Sequence, residues 1–423
     1  MKLLVIPLVL SPLAACGADF QISTFDRSGN LTVSNSFTNG VSTVRTATAV
    51  TGPWAAQANF YTTSNTAALK ASLSVSNTFV KTSAVDLSNG RVGFTNLTQS
   101  YFLLETVAGA GGVTGAGINK WQAGFENGRA TNAQLSRPHI AMADKAGNIY
   151  IADKDAHGVR RVTPSGIIST VAGTSVLGNG PDTDTPGTQV ALNEPNGLWV
   201  SGNGLIYILD LQNGKIRRLD SHGMLSTLFP VPGGISSGRG LWVSDDETVA
   251  YVSSGTVVKR WTASGGVADF STGFSQLGNL VVDPSGRLVV TDRNANRVYR
   301  IESNGTKTII AGNGTTSGGG DGQLATATGL AQVRAVWFLP TGAFFVGTDS
   351  GAKMWYVDTA GFIHLFLNGT PNNAHAGDGT WFYNPAELRT GPVRQITTDW
   401  NGNLLICEHD AGYIRRIRFL PHE

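Results

Sequence analysis

From about residue 100 onward the chain alternates short apolar runs with glycine-bearing turns. The stretch "GNLVVDPSGRLVVTDRNANRVYRIESNGTKTIIAG", Gly278 to Gly312, shows the unit. An apolar triplet, a turn and a second apolar triplet ending in Asp come first. A loop, an apolar–Arg pair, another turn and a last apolar run complete it. Runs of this length bounded by Gly, Asn, Asp and Ser predict strands, and the spacing predicts four antiparallel ones. The pattern recurs in six copies, beginning at Pro138, Pro195, Gly238, Gly278, Val333 and Val393. Each has a core of roughly 40 residues, the length of one propeller blade.

One small sheet cannot bury both its faces, so such units stack. Six four-stranded copies predict an all-β fold, a six-bladed β-propeller. The sixth copy stops after "YIRRIRF", Tyr413 to Phe419, and lacks an outermost strand. The segment "LLETVAG", Leu103 to Gly109, matches "IISTVAG", Ile167 to Gly173. This predicts that residues 103–109 pair with the last blade and close the ring, removing the exposed edges of a linear stack.

Residues 16–100 have a different texture. "ISTFDRSGNLTVSNSF", "VSTVRTATAV", "KASLSVSNTF" and "RVGFTNL" alternate apolar and polar positions between Gly, Asn and Ser clusters. All four read as strands of a small antiparallel β-sandwich that spaces the propeller from the N-terminus. Trp54, Phe60 and Tyr61 are read as core aromatics, with stacking on sugar rings as the alternative. The predicted division is a leader at 1–15, the sandwich module at 16–100 and the propeller at 101–423.

The repeat resembles the NHL family. "NLVVDPSGRLVVTDRNANRVYRI", Asn279 to Ile301, carries that family's aspartate at Asp292 and its Asn-Arg-Val at Asn296 to Val298. "GNIYIADKDAHGVRRVTPSGIISTVAG" is also similar. The resemblance covers residues 101–423 and implies an NHL/TolB-like six-bladed propeller. It implies no single function, because NHL propellers serve as binding platforms, lyases and lactonase relatives.

The N-terminus adds a location. Lys2, the apolar run Leu3 to Leu10 and "LAAC", Leu13 to Cys16, resemble a bacterial lipoprotein signal. That resemblance implies lipidation at Cys16 and a membrane partner through the anchor. With Gly17 in place of Asp, it implies the outer membrane or cell surface. The other cysteine, Cys407, lies in an apolar run and reads as a buried thiol. Formal net charge is +2 and charged residues are 14% of the chain, so bulk charge gives no reason to expect nucleic acid.

In a propeller the first strand of each blade lines the channel. Aligning the copies gives one candidate ligand-binding residue per blade at the channel mouth: His139, Asn196, Arg239, Asn279, Arg334 and Arg394. Guanidinium forks suit carboxylate, phosphate or sulfate, and the aligned positions supply no carboxylate. The expected ligand is an anionic glycan, peptide or protein, unless the arginines pair across blades. Pro138-His139 resembles the zinc-binding positions of amidating lyases, but the aligned Asn196 and Asn279 do not complete a three-ligand set. "EPNG", Glu194 to Gly197, resembles a metal-binding motif of gluconolactonase-like propellers, with no second acidic position. No cofactor is predicted; Ca²⁺ or Zn²⁺ belongs to the alternative in which the chain is a lyase or hydrolase.

Asp153, Asp210, Asp292 and Glu408 end the second strands and read as turn-capping carboxylates. Arg161, Arg218, Arg260, Arg300 and Arg416, with Tyr356 in the sixth copy, recur in the third strand and read as blade structure. His157, His222, His364, His375 and His409 read as surface residues. Long connections at 115–136, 173–193, 312–332 and 368–392 are expected on the mouth face as recognition loops. They offer Trp121, Phe125, Trp381, Phe382 and Tyr383 as aromatic surface, and Asp321 and Asp378, each in "GDG", as turn residues or Ca²⁺ ligands. The expected function is binding or scaffolding at the envelope; an enzyme and a purely structural surface protein are the alternatives.

Overall fold

The computed structural model describes residues 21–420 apart from 27, 50, 74–77, 88–89, 114, 370–374 and 381–389. The leader, Cys16 and Trp381, Phe382 and Tyr383 lie outside the described residues.

The fold is a six-bladed β-propeller preceded by a β-sandwich module. Blade 1 runs outward through Pro138–Ala143, Ile149–Asp153, Gly158–Val162 and Ile167–Ala172. Blade 2 comprises Pro195–Val200, Ile206–Asp210, Lys215–Leu219 and Met224–Pro230. Blade 3 comprises Leu241–Val243, Val249–Ser254, Val257–Thr262 and Gly266–Ser271. Blade 4 comprises Leu277–Val282, Leu288–Asp292, Arg297–Ile301 and Lys307–Ala311. Blade 5 comprises Val333–Phe338, Phe344–Thr348, Lys353–Val357 and Phe362–Asn368. Blade 6 takes Gln395–Thr398, Leu404–Glu408 and Tyr413–Ile417 from the C-terminus, and its outer strand, Leu104–Ala108, from before blade 1. The innermost strand of each blade packs on those of both neighbouring blades, and blade 6 meets blade 1, so the ring is closed.

The repeated "TVAG" and "IIAG" endings have a steric cause. Gly109, Gly173 and Gly312 end outer strands with φ of 100°, 93° and 88°. A Cβ on any of them would sit 2.1–2.2 Å from a carbonyl oxygen of the neighbouring strand or turn. Glycine alone combines that conformation with that approach.

The expected placement of the long connections is corrected. Rather than standing at the mouth, they run along the outer edge of the following blade. Gly128–Arg129, Thr185–Pro186 and Gln323–Leu324 add a short fifth strand to blades 1, 2 and 5. Thr380 and Gly379 exchange backbone hydrogen bonds with Leu104 on blade 6. An outer strand left bare would present unpaired N–H and C=O groups, and the connections cover them. Their acidic residues are used internally. Asp321 pairs with Arg91 and accepts from Leu365 N, and Asp378 pairs with Arg415 at 2.8 Å. Trp121 lies under the Arg160 guanidinium, 3.9 Å from the ring centre, and Phe125 packs edge-on against it.

The module holds two three-stranded antiparallel sheets, one of Gln21–Phe25, Asn30–Ser34 and Thr66–Lys70, the other of Ala55–Thr62, Gly40–Ala47 and Phe79–Asp86. Leu31, Val33, Val44, Leu69 and Val80 fill the space between them. The segment expected as a fourth strand, Arg91 to Leu97, is instead part of the helix Gly90–Gln99. Its buried positions, Gly93, Phe94, Leu97 and Thr98, share one helical face, whereas Val92, which a two-residue period would pair with Phe94, is 65% exposed.

The module does not stand off as a spacer. Phe94 stacks on His364 of blade 5 with ring centres 4.7 Å apart. Tyr61 stacks on Phe419 at 4.4 Å, and its hydroxyl meets that of Tyr101 at 2.7 Å. Val41, Leu87, Leu97 and Tyr101 belong to the same core as Leu339, Phe345 and Phe366 of the propeller.

Candidate functional site

The residue that each copy aims at the mouth is set by a backbone irregularity. In blade 1, Pro138 pairs with Asp153 and Ile140 with Ala152, so His139 is an extra residue. Asn196 and Arg334 occupy the same place in blades 2 and 5. Such a bulge bends the strand and re-aims the unpaired side chain. The residue just before the inner strand, Arg137, Glu194 or Gln332, has φ of 59°, 55° or 52° in blades 1, 2 and 5, and Ser237, a few residues ahead of the blade 3 strand, has 49°. The left-handed conformation is unfavourable for these types and is held by the surrounding turns.

His139, Asn196, Arg239 and Arg394 line one pocket of about 260 Å³ at this mouth, together with Arg137, Lys154 and Glu194. Asn279 and Arg334 do not reach it. The Asn279 amide donates to Val336 O at 3.5 Å, and Asn196 donates to Gly238 O.

The aligned positions supply no carboxylate, but neighbouring turns do, and two of the three arginines take the paired alternative. Asp349 and Asp410 follow the second strands of blades 5 and 6. Arg334 lies 2.6 Å from Asp349, while Arg394 lies 3.1 Å from Asp349 and 2.9 Å from Asp410. Both carboxylates come from turns that the alignment of inner strands does not register. Arg137 completes the cluster, 3.7 Å from Asp410 and 3.6 Å from Asp155.

Arg239 differs. Its Nε and Nη1 are buried, and among the described residues they have no hydrogen-bond partner and no carboxylate lies within ion-pair distance. Burial, with Arg394 and Arg293 nearby, pushes its pKa down to about 9. It remains a cation at neutral pH, but one without a counter-charge in contact. Arg239 as a whole is only half-buried, but its Nε and Nη1 are out of contact with solvent, and donors in that position cost free energy unless an acceptor meets them.

The histidines need a similar correction. His364 and His409 are buried, His157 and His375 are half-buried, and His222 is exposed. His139 meets His409 edge-to-face at 4.2 Å. Burial, His409 and the cations Arg239, Arg394 and Lys154 hold His139 well below its ordinary pKa. Burial takes His409 to about 3 despite Asp410 at 2.6 Å from its Nδ1. Both rings are therefore neutral near pH 7. Among the described residues no group of three or more His, Cys, Asp or Glu is placed to hold a metal ion. Cys407 is buried, with its thiol toward Pro138 O at 2.8 Å.

The carboxylates that end the second strands tie down the approach to the inner strands. Asp210 accepts from Asn193 N at 2.8 Å, and Asp292 accepts from Ser275 N and Gln276 N at 2.7 and 2.9 Å. The arginine that matters most to blade structure is one residue earlier than the recurrent set. Arg160, Arg217 and Arg415 are fully buried against Asp153, Asp210 and Glu408 at 3.3, 3.1 and 3.1 Å. The "RR" pairs at 160–161, 217–218 and 415–416 carried that signal.

With this geometry in view, comparison with known proteins gives the fold and no family. No family model matches the chain. A 112-residue stretch, 26% of this chain, is 30% identical to Protein SUPPRESSOR OF QUENCHING 1, chloroplastic, of Arabidopsis thaliana, and spans 10% of that relative's length. A Bacteroides thetaiotaomicron protein of unknown function superposes with a TM-score of 0.60 at 13% identity, over 95% of this chain and 98% of its own. An auxiliary nutrient binding protein from the same organism superposes with a TM-score of 0.55 at 12% identity, over 95% and 98%. Both likenesses span the module and the propeller.

Proposed function

We propose that this chain is an exported, lipid-anchored binding protein of the bacterial envelope that takes an anionic group of its ligand at the polar channel mouth. The observation that supports this reading is Arg239: a half-buried guanidinium whose Nε and Nη1 have no partner among the described residues, in a concave pocket lined also by Arg137, Lys154, Arg394 and the single carboxylate Glu194. A pocket of about 260 Å³ suits a single carboxylate-, sulfate- or phosphate-bearing unit at the end of a larger glycan or peptide. Convergent cations in a low-dielectric cleft focus potential on such a group. The auxiliary nutrient binding protein of like fold adds support for a binding role. The "LAAC" segment supports the anchor, and no described helix is long and apolar enough to cross a membrane.

Isothermal titration with trigalacturonate, a sulfated disaccharide and inorganic phosphate tests the reading. At least one should bind, with affinity falling as salt rises. Arg239→Ala should weaken it roughly ten- to a hundredfold, the value of a charged hydrogen-bond pair. Absence of binding by all three, or full affinity in Arg239→Ala, overturns it.

A further inference from the structure

The far end of the same channel presents different chemistry. A cavity of about 1260 Å³ lies there, lined by the ends of the inner strands and by the module strands Ala55–Thr62 and Thr66–Lys70. Its aromatic residues come from a pattern written three times in the sequence. Trp199, Trp242 and Trp337 each follow the mouth residue of their copy, Asn196, Arg239 and Arg334, by three positions. At about 3.3 Å per residue, that step carries the side chain roughly 10 Å along the strand, toward the other mouth. Trp400, just past the inner strand of blade 6, joins them and is 53% exposed.

The indoles form a tilted arc. Trp199 and Trp242 have centres 6.2 Å apart at 54°, and Trp199 and Trp337 are 6.5 Å apart at 44°. None is stacked flat on another, and all three keep partial exposure. The charged groups around the cavity are already engaged. Arg416 and Arg418 hold Glu105, Lys70 bonds Asn30 Oδ1, Asp245 accepts from Gly202 N, and Asp399 accepts from Asn401 N and Asn403 N. What remains for recognition is aromatic surface with a polar rim whose charged groups are already hydrogen-bonded. The volume exceeds the roughly 300–1,000 Å³ of sites for drug-sized molecules, so an oligomer fits better than a single small ring.

We propose that the module and the propeller together form a cleft for a neutral oligosaccharide, with Trp242, Trp337 and Trp400 as stacking platforms. A pyranose ring has an apolar C–H face that lies on an indole and a hydroxyl edge that keeps contact with water and amides. Successive rings of a glycan turn relative to one another, which suits tilted platforms. A single-stranded nucleic acid would also stack, but needs a basic track along its backbone; here Arg416 and Arg418 are paired with Glu105, and the carboxylates Asp245 and Asp399 line the same cavity. The assignment gives the module a role: its position on blades 5 and 6, fixed through Tyr61, Tyr101 and Phe419, preforms one wall of the cleft. The site is independent of the anionic mouth.

Titration with cellohexaose, xylohexaose, maltohexaose and mannohexaose, followed by tryptophan fluorescence and calorimetry, tests it. At least one should quench fluorescence saturably, with an affinity that salt and Arg239→Ala leave unchanged. Trp400→Ala, which removes a half-exposed indole and its Nε1 bond to Ala143 O at 3.2 Å, should lower affinity at least tenfold and the melting temperature only slightly. Trp242→Leu should do the same to affinity. The proposal is overturned if none of the four binds, if binding survives Trp400→Ala, or if it disappears with salt or with Arg239→Ala.

Discussion

Arg416 and Glu105 meet across the seam that closes the ring: Arg416 Nε donates to Glu105 Oε1 at 2.6 Å, although 311 residues separate them in sequence. Arg418 adds two more bonds to the same carboxylate, at 3.0 and 2.9 Å. Burial alone would raise the Glu105 pKa, but the two arginines hold it below the usual value. Beside it, Leu104 pairs with Ile417 and is fully buried.

The seam should be held mainly by burial and only slightly by charge. Leu104→Ala is expected to cost about 2–5 kcal/mol, as for other leucines removed from a core. Glu105→Gln should cost about 1 kcal/mol or less, since the pair is partly exposed. Denaturant unfolding of both variants checks this; equal stability of Leu104→Ala and wild type would remove the seam from the account.

The two members of an "RR" pair should behave very differently. Arg217 is buried against Asp210, so Arg217→Ala leaves an uncompensated carboxylate in the interior and should cost about 3–5 kcal/mol. Arg218 pairs with Glu247 at 2.7 Å but is partly exposed, so Arg218→Ala should cost no more than about 1 kcal/mol. Comparable losses in the two variants would contradict the burial argument.

At the polar mouth, stability and binding should separate. Arg334→Ala leaves Asp349 without its nearest cation and is expected to lower the melting temperature while preserving anion affinity, the reverse of Arg239→Ala. An anion bound near Arg239 would also relieve the positive field on His139, raising its pKa and drawing in a proton. Anion affinity should therefore rise as pH falls below the ordinary histidine value of 6.5, toward the depressed value of His139. Calorimetry in two buffers of different ionisation enthalpy reads that proton uptake, and zero uptake at every pH would count against His139 sharing the site.

On blade 6, Asp378 and His375 should confine maximum stability to a window. Burial would raise the Asp378 pKa, but hydrogen bonds from His375 and Thr106 and the charge of Arg415 hold it at about 2. Its contribution is present above the unfolded value of 3.8 and is lost as pH falls through about 2. Burial lowers the His375 pKa, yet bonds to Asp378 and Glu408 outweigh it and leave the pKa raised. Its contribution is present below 6.5 and is lost as pH rises through the folded value. Relative to wild type, Asp378→Asn should flatten both limbs of the stability–pH curve; unchanged limbs would show the cluster to be energetically silent.

The sequence by itself determined the repeat, and through it the propeller. Strand length and turn chemistry are local properties, readable without knowing what lies opposite, and the recurrent glycine at 109, 173 and 312 was legible as part of the repeat, although the carbonyl that requires it belongs to the neighbouring strand or turn. The alignment of copies also picked out one residue per blade near the channel. Two of its further inferences failed for a shared reason. Arg334 and Arg394 were read beside the other inner strands, yet their partners Asp349 and Asp410 stand on turns after the second strands. The long connections were read as free loops, yet an outer strand's bare hydrogen-bonding edge drew them in. Both outcomes depend on contacts between different elements, an inner strand with a turn or an outer strand with a connection, which the alignment of one strand across the copies does not register.

Only the tertiary structure decided that Gly90–Gln99 is a helix, since its buried face packs between the module strand Phe79–Asp86 and blade 5. It also decided where the module sits, and so that Trp199, Trp242 and Trp337 border a cavity. Their equal spacing from the mouth residues was legible as a repeat. A recurrent tryptophan on a strand, however, is equally suited to core packing, and only the volume left open beneath the module distinguishes a lining from a filling.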